Sequence, residues 1–553
     1  MIKRAIDNFL IAKKLKVFFK ELDKNNIKSN NNSLNILVEF NSFKSGHIYI
    51  ALIARFLSKI NHFNMIGFLN YSTSITSLNN SIFKKIKFII GKFLKTNFFG
   101  IYKAIGVNKI ICPTFTTLIK KRANEKFIEI YGAISSNDSV YDITIDNIKF
   151  GDLIYDGYLK ENYTYNLDIN SSKFKKYLHG VISIYFYWKN YFENNKVDYV
   201  IGVHGVYAYG IMLRLAVFKN IEVFTFLSGK IHRLNKKKFY QNREFEDYKK
   251  NFTKINNKTK EKAINITKKI LGKKFQGEEN TTFLWPMISS YSKKIDNSKK
   301  VLNNNSKFKI LIATHNVKDS ISCYGPTLFA DFSKWLEFLA NISKKTDYEW
   351  YIKDHPFYGK SYDEGQGGDK TKELTDYIVK NNENFFIIPS KTPNNKIINE
   401  KIDCVLTLYG SVAYEYAYFN IPVLTGSNNC PTINYDFNIH SKTKSEYEQN
   451  LMNLKNLKLE IKQNEITQYY FMRYIYNSFD HFFDGNSNFL KDNNIFDDYE
   501  TDKFYNYLMK NLNQKKISEV ECIFDNFLRS NDYHLNSSHS NINLDIILNR
   551  YQF

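Results

Sequence analysis

Proline is scarce in this chain, at 8 of 553 residues, and cysteine is scarcer, at 5. The cysteines (Cys112, Cys323, Cys404, Cys430 and Cys522) are scattered, odd in number and never spaced as CxxC. That excludes a disulfide framework and a zinc ribbon, and it fits a reducing compartment. Long apolar runs are missing as well. No uninterrupted stretch approaches the roughly 18 residues that a membrane-spanning helix needs. The opening "MIKRAIDNFLIAKKLKVFFKEL" is cationic and amphipathic, with lysines breaking every apolar run. It lacks the apolar centre and small-residue cleavage site of a secretion signal. The expectation is a cytoplasmic protein, with the inner face of the plasma membrane as a candidate peripheral contact. RRM, KH and helix-turn-helix patterns are all missing, which speaks against a nucleic-acid partner.

What the chain does have is apolar and aromatic mass. Hydrophobic residues make up 43% and aromatic residues 16%, ample for packed cores and too much for global disorder. The length calls for two or three domains. Lysine and arginine outnumber aspartate and glutamate by 78 to 55, a formal charge of +23. Such a charge ordinarily points to nucleic acid or an anionic membrane. Here Lys, Asn, Ile, Phe and Tyr are inflated together, and all have AT-rich codons, so coding bias accounts for much of the lysine.

Alternation of strand and helix organises the chain. Residues 1–32 hold the amphipathic helix and a polar run, "DKNNIKSNNNS". At "LNILVEFNSFKSGHIYIALIARFLSKI" a strand (Leu34 to Phe40), a glycine-containing loop (Asn41 to His47) and a helix (Ile48 to Ile60) open an α/β domain over 33–234. Further strands are expected at "KIICPTF" and "DYVIGVHG". Residues 235–306, rich in lysine and asparagine, read as helical excursions plus a linker. A second alternation fills 307–484, with strands at "KFKILIATHNV", "YEWYIKDHP", "NFFIIPS", "DCVLTLYG" and "IPVLTG" and short connections between them. This predicts an α/β fold of two tandem Rossmann-like domains facing a cleft, with helical additions. The late helix "ITQYYFMRYIYNSFDHFF" is aromatic on nearly every side and should be buried. The polar tail, 485–553, is expected to pack loosely.

Ligands of open α/β sheets bind beyond the C-terminal ends of the strands. The polar residues at those ends are therefore the candidates: Thr314, His315 and Asn316; Lys353, Asp354 and His355; Pro389 and Ser390; Tyr409, Gly410 and Ser411. The first half adds Gly46 and His47 in the loop, and His204–Gly205. The stretch "CVLTLYGSVAYEYAYFNIPVLTG" is the sharpest. Gly410 permits a tight turn, Ser411 can cap the following helix, and the free N–H groups of Ser411, Val412 and Ala413 can receive a phosphate. Glu415 shares a face with Ser411 and suits ribose hydroxyls; the competing structural reading has it only complementing the helix dipole. His355, halted by Pro356, can meet the same phosphate and stabilise it as a leaving group, with Lys353 two residues away on the same strand face. Its bland alternative is a histidine that ties the loop.

These motifs carry a resemblance. A strand ending in "KDHP", followed by "LYGSVAYEYAYFNIPVL", resembles the GT-B glycosyltransferases of capsular and surface polysaccharides. Among these, the capsular Kdo transferases and the bacterial sialyl- and polysialyltransferases are most alike. His355–Pro356, Gly410–Ser411, Glu415 and Asn420 to Val423 match, over roughly Lys307 to Gly426. CDP-glycerol polymerases of teichoic acid synthesis share a similar pair. The resemblance implies a nucleotide-sugar donor, CMP-linked in the nearest families, held by the second half. It also implies a glycan or lipid-linked glycan acceptor held by the first, with no metal and no further cofactor. The alternatives are a CDP-polyol phosphotransferase, a nucleic-acid-binding protein and a non-catalytic scaffold. By the order of the sialyltransferase motif, Asp156 in "GDLIYDGYLKE" stands where the general base would be, with Tyr155 in place of a first acid; Asp-Gly is also an ordinary turn. Finally, "SIFKKIKFIIGKFLKTNFFG" spaces Ile82, Ile86, Ile89, Ile90 and Phe93 on one helical face, with Lys84, Lys85, Lys87, Lys92 and Lys95 mostly elsewhere. That pattern suits either an anionic membrane surface or packing against the first domain.

Overall fold

The computed structural model describes residues 10, 12–17, 20, 34–40, 53–54, 57, 63–70, 82–94, 98–227, 230–278, 290–296, 298–354, 368–457, 459–478, 514–540 and 544–549. Within them the chain builds two six-stranded sheets in tandem. The first holds β1 (Leu34–Glu39), β2 (Phe63–Phe68), β3 (Lys109–Ile111), β6 (Tyr199–Gly202), β7 (Glu222–Leu227) and β8 (Lys230–Leu234). A two-stranded hairpin, β4 (Thr144–Ile145) with β5 (Ile148–Lys149), stands apart from it. The second sheet holds β9 (Lys309–Ala313), β10 (Glu349–Lys353), β11 (Phe385–Ile388), β12 (Cys404–Thr407), β13 (Val423–Thr425) and β14 (Ile439–His440).

Both sheets share one topology. Their orders are β3-β2-β1-β6-β7-β8 and β11-β10-β9-β12-β13-β14, parallel throughout except for the β7–β8 hairpin. In each the chain starts in the middle, works outward to one edge, and then crosses to the other side. This is the doubly wound order, with a switch point between β1 and β6 and another between β9 and β12. The two tandem Rossmann-like domains read from the sequence are therefore present.

Strands buried on both faces explain why the apolar runs are continuous rather than alternating. Ile310 and Ile312 of β9 enter one core with Trp335, Trp350 and Leu406, whereas Leu311 faces a second with Tyr351 and Val405. In the first sheet Leu37 packs with α3 (Gly151–Asn162) and α4 (Ser172–Asn194), and Ile36 and Val38 face the opposite side.

The segment after Asn235, read as helical excursions plus a linker, holds the helix α5 (Asn257–Phe275), which buries Ala263, Ile266, Ile270, Leu271 and Phe275. They pack against α7 (Gln463–Phe471) and Tyr414 and Ala417 of α6 (Val412–Tyr418). The tail is not loose where it is described. Its helix α8 (Gln514–Arg529) returns to the first domain and inserts Val520, Ile523, Phe524 and Phe527 into that core. Those four positions follow helical spacing, and the polar residues around them masked the pattern. Among the described residues, no helix is long and apolar enough to cross a membrane.

Candidate functional site

The parallel register of the second sheet sets its strand ends level. Ala313 of β9 pairs with Lys353 of β10, and Ile312 with Leu406 of β12. Thr314–His315, Asp354 and Tyr409–Gly410 therefore emerge along one edge, at the switch point. His315 Nε2 lies 3.3 Å from Thr407 Oγ1, which also accepts a hydrogen bond from the Gly410 N–H at 3.0 Å. The imidazole is wedged between Phe332 and Tyr409, at centroid distances of 5.2 and 4.6 Å. A Cβ at position 410 would come within 2.8 Å of Thr407 Oγ1 and 3.2 Å of His315 Nε2, so only glycine fits there. Thr314 has a different job: its hydroxyl donates to Asp354 at 2.8 Å, and Thr375 donates to the other oxygen. The first bond ties the end of β9 to that of β10, and the second ties β10 to the helix Gly368–Lys380.

Ser411 does not cap the helix that follows. Its backbone is already helical (φ −60°, ψ −23°), a conformation in which the side chain makes no capping bond. The Ala413 amide is also taken, by the Gly410 carbonyl at 3.1 Å. What the turn does present is the exposed Ser411 hydroxyl. Glu415 sits one turn later and is buried. Lys274 of α5 donates to its Oε1 at 2.7 Å, and Tyr291 to Oε2 at 3.4 Å. Any ribose would share this carboxylate with Lys274, a residue in the stretch that reads as helical excursions plus a linker.

Lys353 is the unusual group. It is only 7% exposed, yet among the described residues no acceptor or carboxylate bonds its ammonium. Burial pulls its pKa down from the usual 10.5 to about 8, and the nearby Glu415 charge opposes that only in part. A largely buried cation beside the switch point, with no hydrogen-bond partner among the described residues, is a ready partner for an anion. Ser390 lies at the end of the edge strand β11, with β10 and β9 between it and β12. His355, Pro356, Gly46 and His47 lie outside the described residues.

Asp156 is not in a turn. It lies in the middle of α3, 2% exposed, at the seam between the domains. Ser320 and Ser322 of the second domain both donate hydroxyls to its Oδ2 at 2.5 Å, and Tyr141 donates to Oδ1 at 3.1 Å. Burial pushes its pKa up to about 7 against the pull of those hydroxyls. Around it, Tyr155 donates to Asp331, Tyr141 to the Ala330 carbonyl, and Tyr409 to the Ser320 carbonyl. One turn before it, Asp152 holds Arg214 in a buried bidentate pair at 2.7 and 2.8 Å. As it stands, the seam is closed over Asp156.

At the switch point of the first sheet, buried Glu39 accepts the Val203 N–H at 2.8 Å, and Gln241 bridges Val203 and Gly205. His204 follows, with burial pulling its pKa down to about 4 and Nδ1 lacking a hydrogen-bond partner among the described residues. It is therefore neutral at physiological pH. Sequence reading missed a further group, buried at β8. Lys230, His232 and Tyr248 surround the buried Glu244, and Arg473, in a π-helical turn (Met472–Tyr476), donates to Tyr324 at 3.0 Å. The signal available was one arginine in the aromatic run "YYFMRYIY".

No family model matches the sequence, and no curated protein matches it. Solved structures of other proteins do resemble the chain. The β-Kdo 2,4 transferase KpsC of Thermosulfurimonas dismutans is 10% identical, over 50% of this chain and 79% of its own, with a TM-score of 0.30. The UDP-GlcNAc 2-epimerase of Methanocaldococcus jannaschii is 13% identical, over 78% of this chain and 95% of its own, at 0.22. The UDP-GlcNAc 2-epimerase of Neisseria meningitidis, solved with UDP-GlcNAc bound, is 10% identical, over 79% and 98%, at 0.23. Likeness at these scores is slight, and the reading of the site rests on its own geometry.

Proposed function

We propose that the chain is a glycosyltransferase that moves a sugar from a nucleotide-sugar donor to a growing surface glycan, free or lipid-linked. The observation that carries this reading is the second switch point. There His315, Gly410 and Ser411 meet, with the largely buried Lys353, whose ammonium has no hydrogen-bond partner among the described residues, and the Glu415 carboxylate one turn into the helix. A nucleotide needs those groups: a close-approach turn and cation for phosphate, and a carboxylate for ribose hydroxyls. In this reading His355 donates to the phosphate as it leaves, and the cleft side of the first domain, with His204, receives the acceptor. Asp156 has a pKa suited to a general base near neutrality; for it to serve, the seam must open to admit an acceptor hydroxyl. The donor is expected to be a CMP-activated sugar acid, from the His-Pro and Gly-Ser motifs. Thermal-shift measurements with CMP, CDP, UDP and GDP test this directly. CMP should stabilise the protein most; an equal or larger shift with UDP overturns the donor, and no shift with any nucleotide overturns the site.

A further inference from the structure

Helix α1 (Ile82–Leu94) is mounted with its apolar side outward. Phe83 and Phe93 are 87% and 82% exposed, Ile82 75%, Ile89 62%, Ile90 50% and Ile86 48%. At 3.6 residues per turn these six positions fall within one sector of about 120°. Phe88 lies away from that sector, partly buried against the first-domain core and 5.3 Å from the Phe99 ring. A helix that served only to pack on its domain would be turned the other way round. Six large apolar side chains held this far in water forgo the burial that ordinarily stabilises a fold. Monomeric soluble proteins rarely expose so continuous a patch without a partner for it.

The charge of the segment that holds the helix points to the partner. From residue 40 to residue 124 the chain contains no aspartate or glutamate, yet it carries thirteen lysines and arginines. More than half of the formal +23 is thus concentrated in this one region rather than spread along the chain. Four of those lysines (84, 85, 87 and 92) belong to α1, in helical positions outside the apolar sector. A second copy of the chain would set the four lysines of α1 against the same four of its mate, because a two-fold contact brings like surface to like. A nucleic acid would answer the charge but leave the isoleucines in water.

We propose that α1 docks the protein on an anionic lipid bilayer. The helix lies in the interface plane, with Phe83, Ile86, Ile90 and Phe93 at the acyl boundary and the surrounding lysines among the headgroups. This docking does not depend on the glycosyltransferase reading; it would bring such an enzyme to a lipid-linked acceptor.

The test is co-sedimentation of the full chain with vesicles of phosphatidylcholine alone, and of phosphatidylcholine mixed with phosphatidylglycerol. Wild type should bind the mixed vesicles and not the neutral ones. Phe83→Ser with Phe93→Ser, and separately Lys84→Gln with Lys85→Gln and Lys87→Gln, should each weaken binding roughly tenfold or more. Because both phenylalanines are exposed, the melting temperature should not change. Binding that survives the phenylalanine changes overturns the proposal. So does a dimer, seen by light scattering, that those changes dissolve. Should the double variant fail to fold, hydrogen exchange over 82–94 in the wild type decides. Protection that rises only with phosphatidylglycerol supports docking, and unchanged protection refutes it.

Discussion

Replacing Lys353 by methionine keeps the length of the side chain and removes its charge. The native ammonium is 7% exposed and, among the described residues, bonded to no acceptor. Its pKa falls from 10.5 to about 8, chiefly because burial disfavours the charged form. A tenfold change in proton affinity is worth about 1.36 kcal/mol, so the buried charge costs at most about 3 kcal/mol at pH 7. The sign follows from the lower folded-state value. The cost is absent above pH 10.5, grows as the pH falls towards 8, and is constant below that. Methionine carries no such cost. Lys353→Met should therefore be about 2–3 kcal/mol more stable than wild type at pH 7, with the gain shrinking towards pH 10. Binding should move the other way. A hydrogen bond from a charged donor is worth about 1.5–3 kcal/mol, so the nucleotide Kd should rise roughly 10–100-fold. Urea unfolding at several pH values and calorimetric titration with nucleotide read the two effects separately. A variant that is less stable at pH 7, by an amount independent of pH, refutes the picture of an uncompensated cation. A variant that is more stable yet binds nucleotide unchanged leaves the electrostatics intact and removes Lys353 from the site.

Two further expectations concern residues that other measurements can separate. Asp156 has a folded-state pKa of about 7 against the usual 3.8, so wild type loses stability as the pH rises through that window. Asp156→Asn should gain relative to wild type between pH 4 and 7, by up to about 4 kcal/mol, and level off above it; a difference flat with pH, read from melting curves, refutes this. His355→Ala should bind nucleotide almost normally and turn over about 10²–10³ times more slowly, whereas Glu415→Ala should weaken donor binding with less effect on kcat. A His355→Ala protein that loses its fold while activity per folded molecule survives makes that histidine a loop tie.

What the sequence disclosed follows from how each element is stabilised. Strands such as "KILIA" and "CVLT" are buried on both faces, so their composition alone announces a parallel sheet, and the residues just after them must lie at its C-terminal edge. Gly410 was legible for a related reason: the side chains around it, Thr407 and His315, come from the ends of strands that were themselves legible. Lys274 was not. It lies 141 residues before Glu415, on a helix whose five buried apolar residues are diluted by lysines, and nothing in local spacing links the two. Ser411 misled because serine before a helix usually caps; here the preceding glycine turn has already placed it in helical geometry.

The seam between the domains is the hardest feature to read, and the reason is general. Asp156 is held by two serines about 165 residues away and by a tyrosine 15 residues before it. Hydroxyls in an irregular loop have no periodicity, and each of them would be equally at home in water. Only the folded pair of domains shows that the loop from Thr314 to Asp331 begins at the C-terminal edge of β9, with His315, and ends on α3 partners, with Ser320, Ser322 and Asp331. Tyr409 closes the same circuit, touching the His315 ring at one end and the Ser320 carbonyl at the other. Candidate site and seam are thus opposite ends of one packed segment. A change at Asp156 therefore has a short physical route to the edge that carries His315 and Gly410, which periodicity along the chain could not have revealed.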